Sequence, residues 1–165
     1  DGFHPINLAA LLKGQATLFP PVHEGILRLI GATDVVPKTS QAAVIVNSNV
    51  FGDSLTRLLM QAGASVDNFH ANDLDAEAIK NADIIVVAVG RPKFLTRDLV
   101  KSGACIIDVG TNRLSDGKLV GDVDITNMED IPGWISPVPG GVGPMTVAML
   151  LKNTLILAKR RRGLT

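Results

Sequence analysis

Short apolar runs, each followed by a polar or glycine-containing segment, constrain the fold of this chain more than any other feature. The clearest runs are "AAVIV" at Ala42–Val46, "DIIVVAVG" at Asp83–Gly90 and "ACIIDVG" at Ala104–Gly110. Strands buried on both faces of a sheet have this continuous pattern, whereas strands with one face in water alternate. A further extended segment, "ASVDNF" at Ala64–Phe69, lies between the first two runs. Together these segments predict the strands of a parallel sheet.

The segments between the predicted strands have helical spacing. In Gly52–Gly63, leucines recur three and four positions apart, and the closing glycine suits a helix end. Asp75–Ala82 is a second predicted helix, and Thr96–Gly103, with a terminal glycine of its own, completes the alternation. Because strand–helix–strand connections are right-handed crossovers, this order indicates a doubly wound sheet.

The remaining segments complete the predicted architecture. Two short helices, Asn7–Gly14 and Val22–Ile30, precede the first strand, and a long apolar helix, Pro144–Arg161, closes the chain with "KRRR". The Asp116-Gly117 pair between two extended stretches suggests a hairpin. The predicted fold class is therefore α/β: a Rossmann-like, doubly wound, mainly parallel sheet flanked by helices, with a hairpin insertion and a long C-terminal helix.

Composition excludes several classes of function. The chain has 165 residues, a formal net charge of zero and 4% aromatic residues, which argues against a basic nucleic-acid footprint or a membrane-binding surface. Its single cysteine, Cys105, can form no internal disulfide, so a reducing compartment is expected, cytoplasmic or organellar. His23 and His70 are isolated from other ligand-type residues, and no metal site is expected. We expect no nucleic-acid partner and no membrane partner.

Open α/β sheets bind ligands where loops leave the carboxyl ends of their strands. The first such loop, "VNSNVFGDS", is a poor dinucleotide fingerprint, because Gly52 is its only glycine. A helix that begins there could face a pyrophosphate, although a tight strand-to-helix turn explains the glycine equally well. A nucleotide cleft is thus a hypothesis that these residues alone leave open.

One connection, "SPVPGGVGPMT" at Ser136–Thr146, is unusually rich in proline and glycine. This block strongly resembles the signature of the methylenetetrahydrofolate dehydrogenase/methenyltetrahydrofolate cyclohydrolase family. Other segments resemble the family in the same order along the chain: "DGFHPIN", "PPVHEGI", "NADIIVVAVGRP", "IIDVGTNRL" and "GKLVGDVD". The resemblance covers essentially the whole chain.

The resemblance implies the carboxyl-terminal, NAD(P)-binding portion of a folate enzyme with two domains. Members oxidise 5,10-methylenetetrahydrofolate by hydride transfer and hydrolyse the methenyl product to 10-formyltetrahydrofolate, so tetrahydrofolate derivatives are the expected partners. Residues 1–32 are then a helical lead-in and interdomain segment, and residues 33–165 are the Rossmann-like domain. Relatives associate as homodimers through this domain, which makes a homodimer the expectation here.

Site residues follow from the matched motifs. Asp1 corresponds to the acidic residue that contacts the pteridine ring, where a carboxylate can accept two parallel hydrogen bonds. The remaining folate-binding candidates are Pro139, Gly140, Gly141 and Val142. The cofactor-binding candidates are Asn47, Ser48, Gly52, Ala88, Val89, Gly90, Gly110, Asn112, Gly143 and Thr146.

The sequence departs from the family in its catalytic residues. In the family, catalysis rests on a lysine of a Tyr-x-x-x-Lys motif in the amino-terminal domain. These 165 residues contain no tyrosine, and none of their lysines matches that role. We therefore assign no catalytic residue to this chain and expect it to be inactive by itself, with a loss on the order of 10²–10⁴ in rate without the positioned base.

The cofactor site departs as well. Where relatives often have Gly-Arg-Ser, this chain has Val46, Asn47 and Ser48, and the usual Gly-x-Pro is Gly52–Ser54. Many relatives have His-Ser-Lys-Thr after the second strand, where this chain has "HANDLD" at His70–Asp75. The cofactor is thus NADP or NAD, since the basic residues that favour a 2′-phosphate are missing. The alternative is a non-catalytic binding module of the same descent with a decayed cofactor site.

Overall fold

The computed structural model describes residues 2–128 and 133–164, and a five-stranded parallel sheet forms its centre. The strands of this sheet are β1 (Gln41–Val46), β2 (Ser65–His70), β3 (Ile84–Ala88), β4 (Cys105–Asp108) and β7 (Trp134–Ile135). Their spatial order is β2-β1-β3-β4-β7. The antiparallel pair β5 (Asn112–Arg113) and β6 (Leu119–Val120) stands apart from it.

Helices cover both faces of the sheet, as the predicted doubly wound fold requires. They are α1 (Pro5–Leu12), α2 (Pro21–Ile30), α3 (Asn49–Gln61), α4 (Ala76–Asn81) and α5 (Val142–Arg161). One apolar core joins α2, α3 and α5 to one face, and the other places α4 and the segment before β4 on the opposite face. Strands β1, β3 and β4 are buried on both sides between these layers, which confirms their continuous apolar pattern as a strand signal.

Strand β2 differs from the other three long strands. Only Val66 and Phe69 are half-buried and the other four positions are exposed, and its sequence, Ser-Val-Asp-Asn-Phe-His, is correspondingly mixed. The reason is its place at the edge of the sheet, where only β1 pairs with it. A charged edge strand also resists pairing with another chain.

The segment Thr96–Gly103 does not complete the alternation with a helix. Only the short 3-10 turn Arg97–Leu99 forms there, and Val100 is buried in the core directly after it. Just before this segment, the N–H of Leu95 donates to the carbonyl of Asp122, which follows the hairpin, at 3.0 Å. The predicted hairpin is confirmed: Gly117, at φ +85°, turns the chain between β5 and β6.

Helix α2 packs closely against α5 and so joins the early part of the chain to its last helix. Gly25 permits this approach, because a Cβ there would lie 3.3 Å from Cβ of Met145. Lys152 of α5 forms an ion pair with the half-buried Glu24 of α2. Asn153 donates from Nδ2 to the carbonyl of Phe19 at 2.9 Å. The first and last helical segments therefore belong to one packed layer.

Candidate functional site

The order of the strands reverses at β1, and this reversal creates the crevice where open α/β sheets bind ligands. β2 lies on one side of β1 and β3 on the other, with Val46 opposite Ala88 at the carboxyl edge. The loops that leave β1 and β3 therefore flank the crevice. Asn47 and Ser48 stand on one of these loops, and Ala88–Gly90 stand on the other.

A hydrogen bond joins the two loops across the crevice. Nδ2 of Asn47 donates to the carbonyl oxygen of Val89 at 2.5 Å. Ser48 caps α3, because its Oγ accepts the N–H of Phe51 at 3.4 Å. The cap explains why α3 begins at Asn49 rather than at Gly52. The N-terminus of α3 thus lies beside the crevice, although the glycines of the usual fingerprint are missing.

Gly52 lies on the face of α3 that packs against the sheet. A Cβ at this position would lie 2.8 Å from the side-chain amide of Asn68 and from Cγ2 of Val46. Close approach of helix to strand therefore accounts for the glycine. The assignment of Gly52 to the cofactor stays a prediction, and its observed neighbours are protein atoms.

Asp122 holds the loop after β3. Its Oδ2 accepts the N–H groups of Val89 at 2.7 Å and Gly90 at 2.9 Å, and its Oδ1 accepts that of Arg91 at 3.0 Å. Asn112 donates to the same Oδ1 from Nδ2 at 2.8 Å. The structure therefore brings the predicted cofactor residues of β3 and β4 together around one buried carboxylate.

A second buried carboxylate, Asp108, lies next to the first. It accepts the N–H groups of Gly110, Asp122 and Val123, each at 2.9 Å. Burial raises the pKa of the Asp108 carboxyl; the three N–H donors oppose the rise and the Asp122 carboxylate adds to it. Gly110 and Gly121 leave room for the pair, since a Cβ at Gly121 would lie 1.8 Å from Oδ2 of Asp108.

The glycine-rich connection and the loop after β4 share one cavity of about 200 Å³. Its lining combines folate-binding and cofactor-binding candidates: Gly110, Pro139, Gly140, Gly141, Val142 and Gly143. Gly140, at φ +114°, has a backbone conformation that side chains rarely adopt, and Gly141 approaches the carbonyl of Pro137 too closely for a Cβ. A Cβ at Gly143 would meet no protein atom within 4 Å. Backbone is therefore exposed to this cavity.

Two further candidates stand apart from that cavity. Thr146 is one turn into α5, where its Oγ1 donates to the carbonyl of Val142 at 2.8 Å. Asp1 lies outside the described residues. Pro144 is the third residue of α5, so its missing N–H falls in the first turn, where such groups have no partner within the helix.

A larger cavity, about 480 Å³, opens at the carboxyl end of β2. Its lining includes no lysine or arginine and consists of Val46, Asn49, Asn68, Phe69, His70, Asp73, Leu74 and Asp75. Asp53 adds a further carboxylate nearby, because its Oδ1 accepts Nδ2 of Asn68 at 3.2 Å. Asp75 is partly engaged as the cap of α4, where it accepts two N–H groups. This end of the crevice is therefore acidic.

Sequence reasoning missed the central role of Asp122. It lies 31 to 33 residues from the N–H groups that it accepts, so no local pattern connects them. The sequence signal that could have indicated this role is two short segments that combine glycine with aspartate, "DVG" at Asp108–Gly110 and "GDVD" at Gly121–Asp124.

The part of the chain that the structure describes contains neither a metal-binding cluster nor a membrane-spanning helix. Across residues 2–128 and 133–164, no group of three histidine, cysteine, aspartate or glutamate residues could hold a metal ion. Within those same ranges, no helix is both long enough and apolar enough to cross a membrane.

Comparison with known proteins is consistent with the geometry of the crevice. Residues 20–162 match the family model described as tetrahydrofolate dehydrogenase/cyclohydrolase, NAD(P)-binding domain. The bifunctional protein FolD of Bacillus cytotoxicus is 48% identical over 161 residues, which are 97% of this chain and 56% of that protein. FolD of Staphylococcus aureus is 46% identical over 99% of this chain and 58% of its own length.

Solved structures agree with these relatives. The bifunctional enzyme FolD of Campylobacter jejuni superposes with a TM-score of 0.91 at 43% identity, covering 98% of this chain and 58% of that one. The Trypanosoma brucei FolD, complexed with NADP cofactor and inhibitor, gives a TM-score of 0.87 at 32% identity, with 98% and 58% coverage.

This chain spans little more than half the length of the relatives that it matches. The matched model, the identity over nearly the whole chain and the shared Rossmann-like fold lead to one conclusion. The chain belongs to the tetrahydrofolate dehydrogenase/cyclohydrolase family, and it carries that family's NAD(P)-binding domain.

Proposed function

We propose that this chain is the cofactor-binding portion of an enzyme that oxidises 5,10-methylenetetrahydrofolate and hydrolyses the methenyl product to 10-formyltetrahydrofolate. One observation carries the proposal: the glycine-rich connection and the loop after β4 line the same cavity at the carboxyl ends of β4 and β7. A folate and a nicotinamide must meet for hydride transfer, and this cavity combines candidates for both ligands.

The residues present fit a dinucleotide laid along the carboxyl edge of the sheet. Asn47, Ser48 and the N-terminus of α3 would hold its pyrophosphate, as helix N-termini favour anions. The open backbone at Gly143 and the exits at Ala88–Gly90 and Gly110 would border its nicotinamide half. The chemistry that a nicotinamide cofactor supplies is acceptance of a hydride from the methylene carbon of the folate.

The folate would lie on the other side of the glycine-rich connection. Pro139, Gly140, Gly141 and Val142 present backbone rather than bulky side chains, which lets a flat ring system approach closely. Asp1 would bind the pteridine. Exclusion of water from the contact between the two ligands is the main task of these residues, since none of them carries a titratable side chain except Asp1.

We further propose that this portion by itself has no cyclohydrolase activity. The lysine and tyrosine that the family uses in general acid–base chemistry have no counterpart among these 165 residues. The intact enzyme is proposed to work as a homodimer in the cytoplasm, with the hairpin β5–β6 offering a free edge for association. Sedimentation of the purified chain between micromolar and millimolar concentration tests the dimer.

NAD is the proposed cofactor rather than NADP. The cavity at the end of β2, where the adenosine ribose of a Rossmann-type ligand lies, has Asp73 and Asp75 in its lining and no lysine or arginine. A carboxylate there can accept the 2′-hydroxyl of NAD but repels the 2′-phosphate of NADP. The Trypanosoma brucei relative was solved with NADP, so the preference is argued from the residues of this chain alone.

Isothermal titration of the purified chain with NAD and NADP in parallel, at low salt, tests both proposals. We expect NAD to bind more tightly, and Asp73→Lys to shift the ratio of the two affinities toward NADP by about tenfold, or about 1.4 kcal/mol. Asp116→Lys, the same charge change at the exposed hairpin turn, is the matched control and should leave the ratio unchanged.

The other outcomes are equally informative. Tighter binding of NADP by the unsubstituted chain would contradict the NAD preference while supporting a working cofactor domain. Failure of both cofactors to bind would contradict the function proposed here and favour a binding module whose cofactor site has decayed.

A further inference from the structure

The carboxylate of Asp122 occupies a concave group of backbone N–H donors at the end of β3. Three successive residues, Val89, Gly90 and Arg91, direct their N–H groups at its two oxygens, at 2.7 to 3.0 Å. Gly90 has φ +67°, the left-handed conformation that lets consecutive N–H groups converge. Asp122 itself is fully buried.

Such a concavity of N–H groups binds phosphates and other anions in many proteins. In this chain an internal carboxylate fills it, so the loop after β3 offers none of these three N–H groups to an incoming phosphate. The pyrophosphate is thereby directed to the loop after β1 and the N-terminus of α3. On the β3 side the loop contributes a carbonyl, that of Val89, which already accepts Nδ2 of Asn47.

The same carboxylate also fixes the loop after β4. Asn112 donates Nδ2 to Oδ1 of Asp122 at 2.8 Å and to the carbonyl of Gly121 at 3.1 Å. The N–H of Asp122 in turn donates to Oδ1 of Asp108, at the end of β4. Gly110 leaves no free space, since a Cβ there would lie 2.3 Å from Cγ and Oδ1 of Asp122. The Asp122 carboxylate thus holds both the loop after β3 and the loop after β4.

We propose that Asp122 is a positioning residue of the cofactor crevice. Its carboxylate fills the anion-binding concavity of the loop after β3 and fixes the position of that loop relative to the loop after β4. The inference rests on the proposed function, because it takes the crevice to bind a nicotinamide cofactor. Because the Asp122 side chain is fully buried, it acts on a cofactor through the residues that it contacts, Val89, Gly90 and Asn112.

Asp122→Asn is the central variant, because it keeps the size of the side chain and replaces one acceptor oxygen with an NH₂ group that faces N–H donors. Asp83→Asn is its matched control. Asp83 lies at the opposite, amino edge of the sheet, where it accepts the N–H of Gln41 at 2.8 Å and binds Lys101 at 2.6 Å. Both substitutions remove a structural carboxylate that accepts backbone N–H groups, but only one of them borders the crevice.

Two measurements are made on each variant well below its unfolding temperature. Titration of the cofactor that the unsubstituted chain prefers should give a Kd at least about tenfold weaker for Asp122→Asn, and one within about twofold for Asp83→Asn. Amide hydrogen exchange without cofactor should become faster at Val89, Gly90 and Arg91 only in Asp122→Asn. A merely structural role would lower the melting temperature of both variants and leave the Kd of both unchanged.

Should Asp122→Asn fail to fold, Asn112→Ala replaces it. That variant removes one of the donors to Asp122, and faster exchange at Gly90 and Arg91 would show the coupling between the two exits, which a direct contact of Asn112 with the cofactor would not produce. Unchanged exchange in a folded Asp122→Asn, or an unchanged Kd, overturns the proposal. If the unsubstituted chain binds neither NAD nor NADP, the proposed function fails, and the exchange comparison alone decides whether Asp122 holds the two exits.

Discussion

At the scale of single residues, His23 is the buried titratable group with the clearest consequence. Its ring is enclosed by Phe3 and Phe51, both in edge-to-face contact, and its Nε2 lies 2.7 Å from Oγ of Ser54. Burial lowers the pKa of His23 to about 4, and a hydrogen bond from its ring to the backbone carbonyl of Phe51 opposes this shift. His23 is therefore neutral in the folded chain at ordinary pH.

This shift predicts how stability depends on pH. Between pH 6.5 and pH 4 the unfolded chain binds a proton at His23 that the folded chain does not, so the free energy of unfolding falls as the pH falls. Over the whole window the loss is about 3 kcal/mol. Urea unfolding at a series of pH values should show this slope in the unsubstituted chain and a reduced one in His23→Leu.

The control for His23 is a histidine in water. His70→Gln replaces an exposed side chain at the end of β2 and should retain the slope. An equal slope in His23→Leu and the unsubstituted chain would mean that groups other than His23 account for the pH dependence.

At the scale of elements, replacing two helical glycines with alanine should change the stability of the chain in opposite directions. Gly52→Ala pushes α3 away from the sheet, because its Cβ would lie 2.8 Å from Asn68 and Val46, and should destabilise the chain by about 1–3 kcal/mol. Gly143→Ala adds a methyl group to open space in the first turn of α5 and should stabilise it by at most about 1 kcal/mol. Thermal unfolding measures both.

The affinity for the cofactor should also distinguish these two variants, but here Gly143→Ala is the variant that we expect to be impaired. If the open face of Gly143 borders the nicotinamide, its alanine variant binds the cofactor more weakly while melting no earlier. If Gly143→Ala binds the cofactor with unchanged affinity, Gly143 does not border the cofactor, because the stability of this variant already shows that its fold is intact.

The elements also show what can be predicted from sequence and why. Strands β1, β3 and β4 can be predicted from their continuous apolar runs, because burial on both faces largely excludes polar residues from them. The prediction of a helix before β4 was wrong, because the terminal glycine and the periodicity of this segment resemble those of a helix, whereas only a short 3-10 turn forms there. In the site, Gly140 and Gly110 are positions where the sequence indicates special backbone geometry: Gly140 has a positive φ, and Gly110 lies close to Asp122. The convergence of three N–H groups on Asp122 depends on tertiary contacts that no short window contains.

At the scale of the whole molecule, some contacts join segments that are close in sequence and others join segments that are far apart in sequence. Strand β1 pairs with β2 and β3, which follow it closely, whereas α2 packs on α5 across most of the chain; the hydrogen bond from Asn153 to Phe19 spans 134 residues. Contacts between distant segments are formed late, because closing long loops costs entropy first.

Folding kinetics should reveal this division. Ile45→Val, near the carboxyl end of β1, should mainly slow folding, and Asn153→Ala, which removes the contact of α5 with the segment before α2, should mainly accelerate unfolding. Stopped-flow measurements over a range of urea concentrations give both rates. Equal effects of the two substitutions on the folding rate would contradict the division, provided that each destabilises the chain by more than about 0.6 kcal/mol.

The packing of α2 against α5 has a consequence for the chain as it leaves the ribosome. Ile26 and Ile30 of α2 are fully buried in the finished domain, in the apolar core that α5 helps to close. During synthesis α2 emerges long before α5, so its apolar face stays uncovered while the sheet is being made. Chaperones that recognise exposed aliphatic side chains should therefore bind nascent chains that lack α5, and should release them once Val142–Arg161 has been translated.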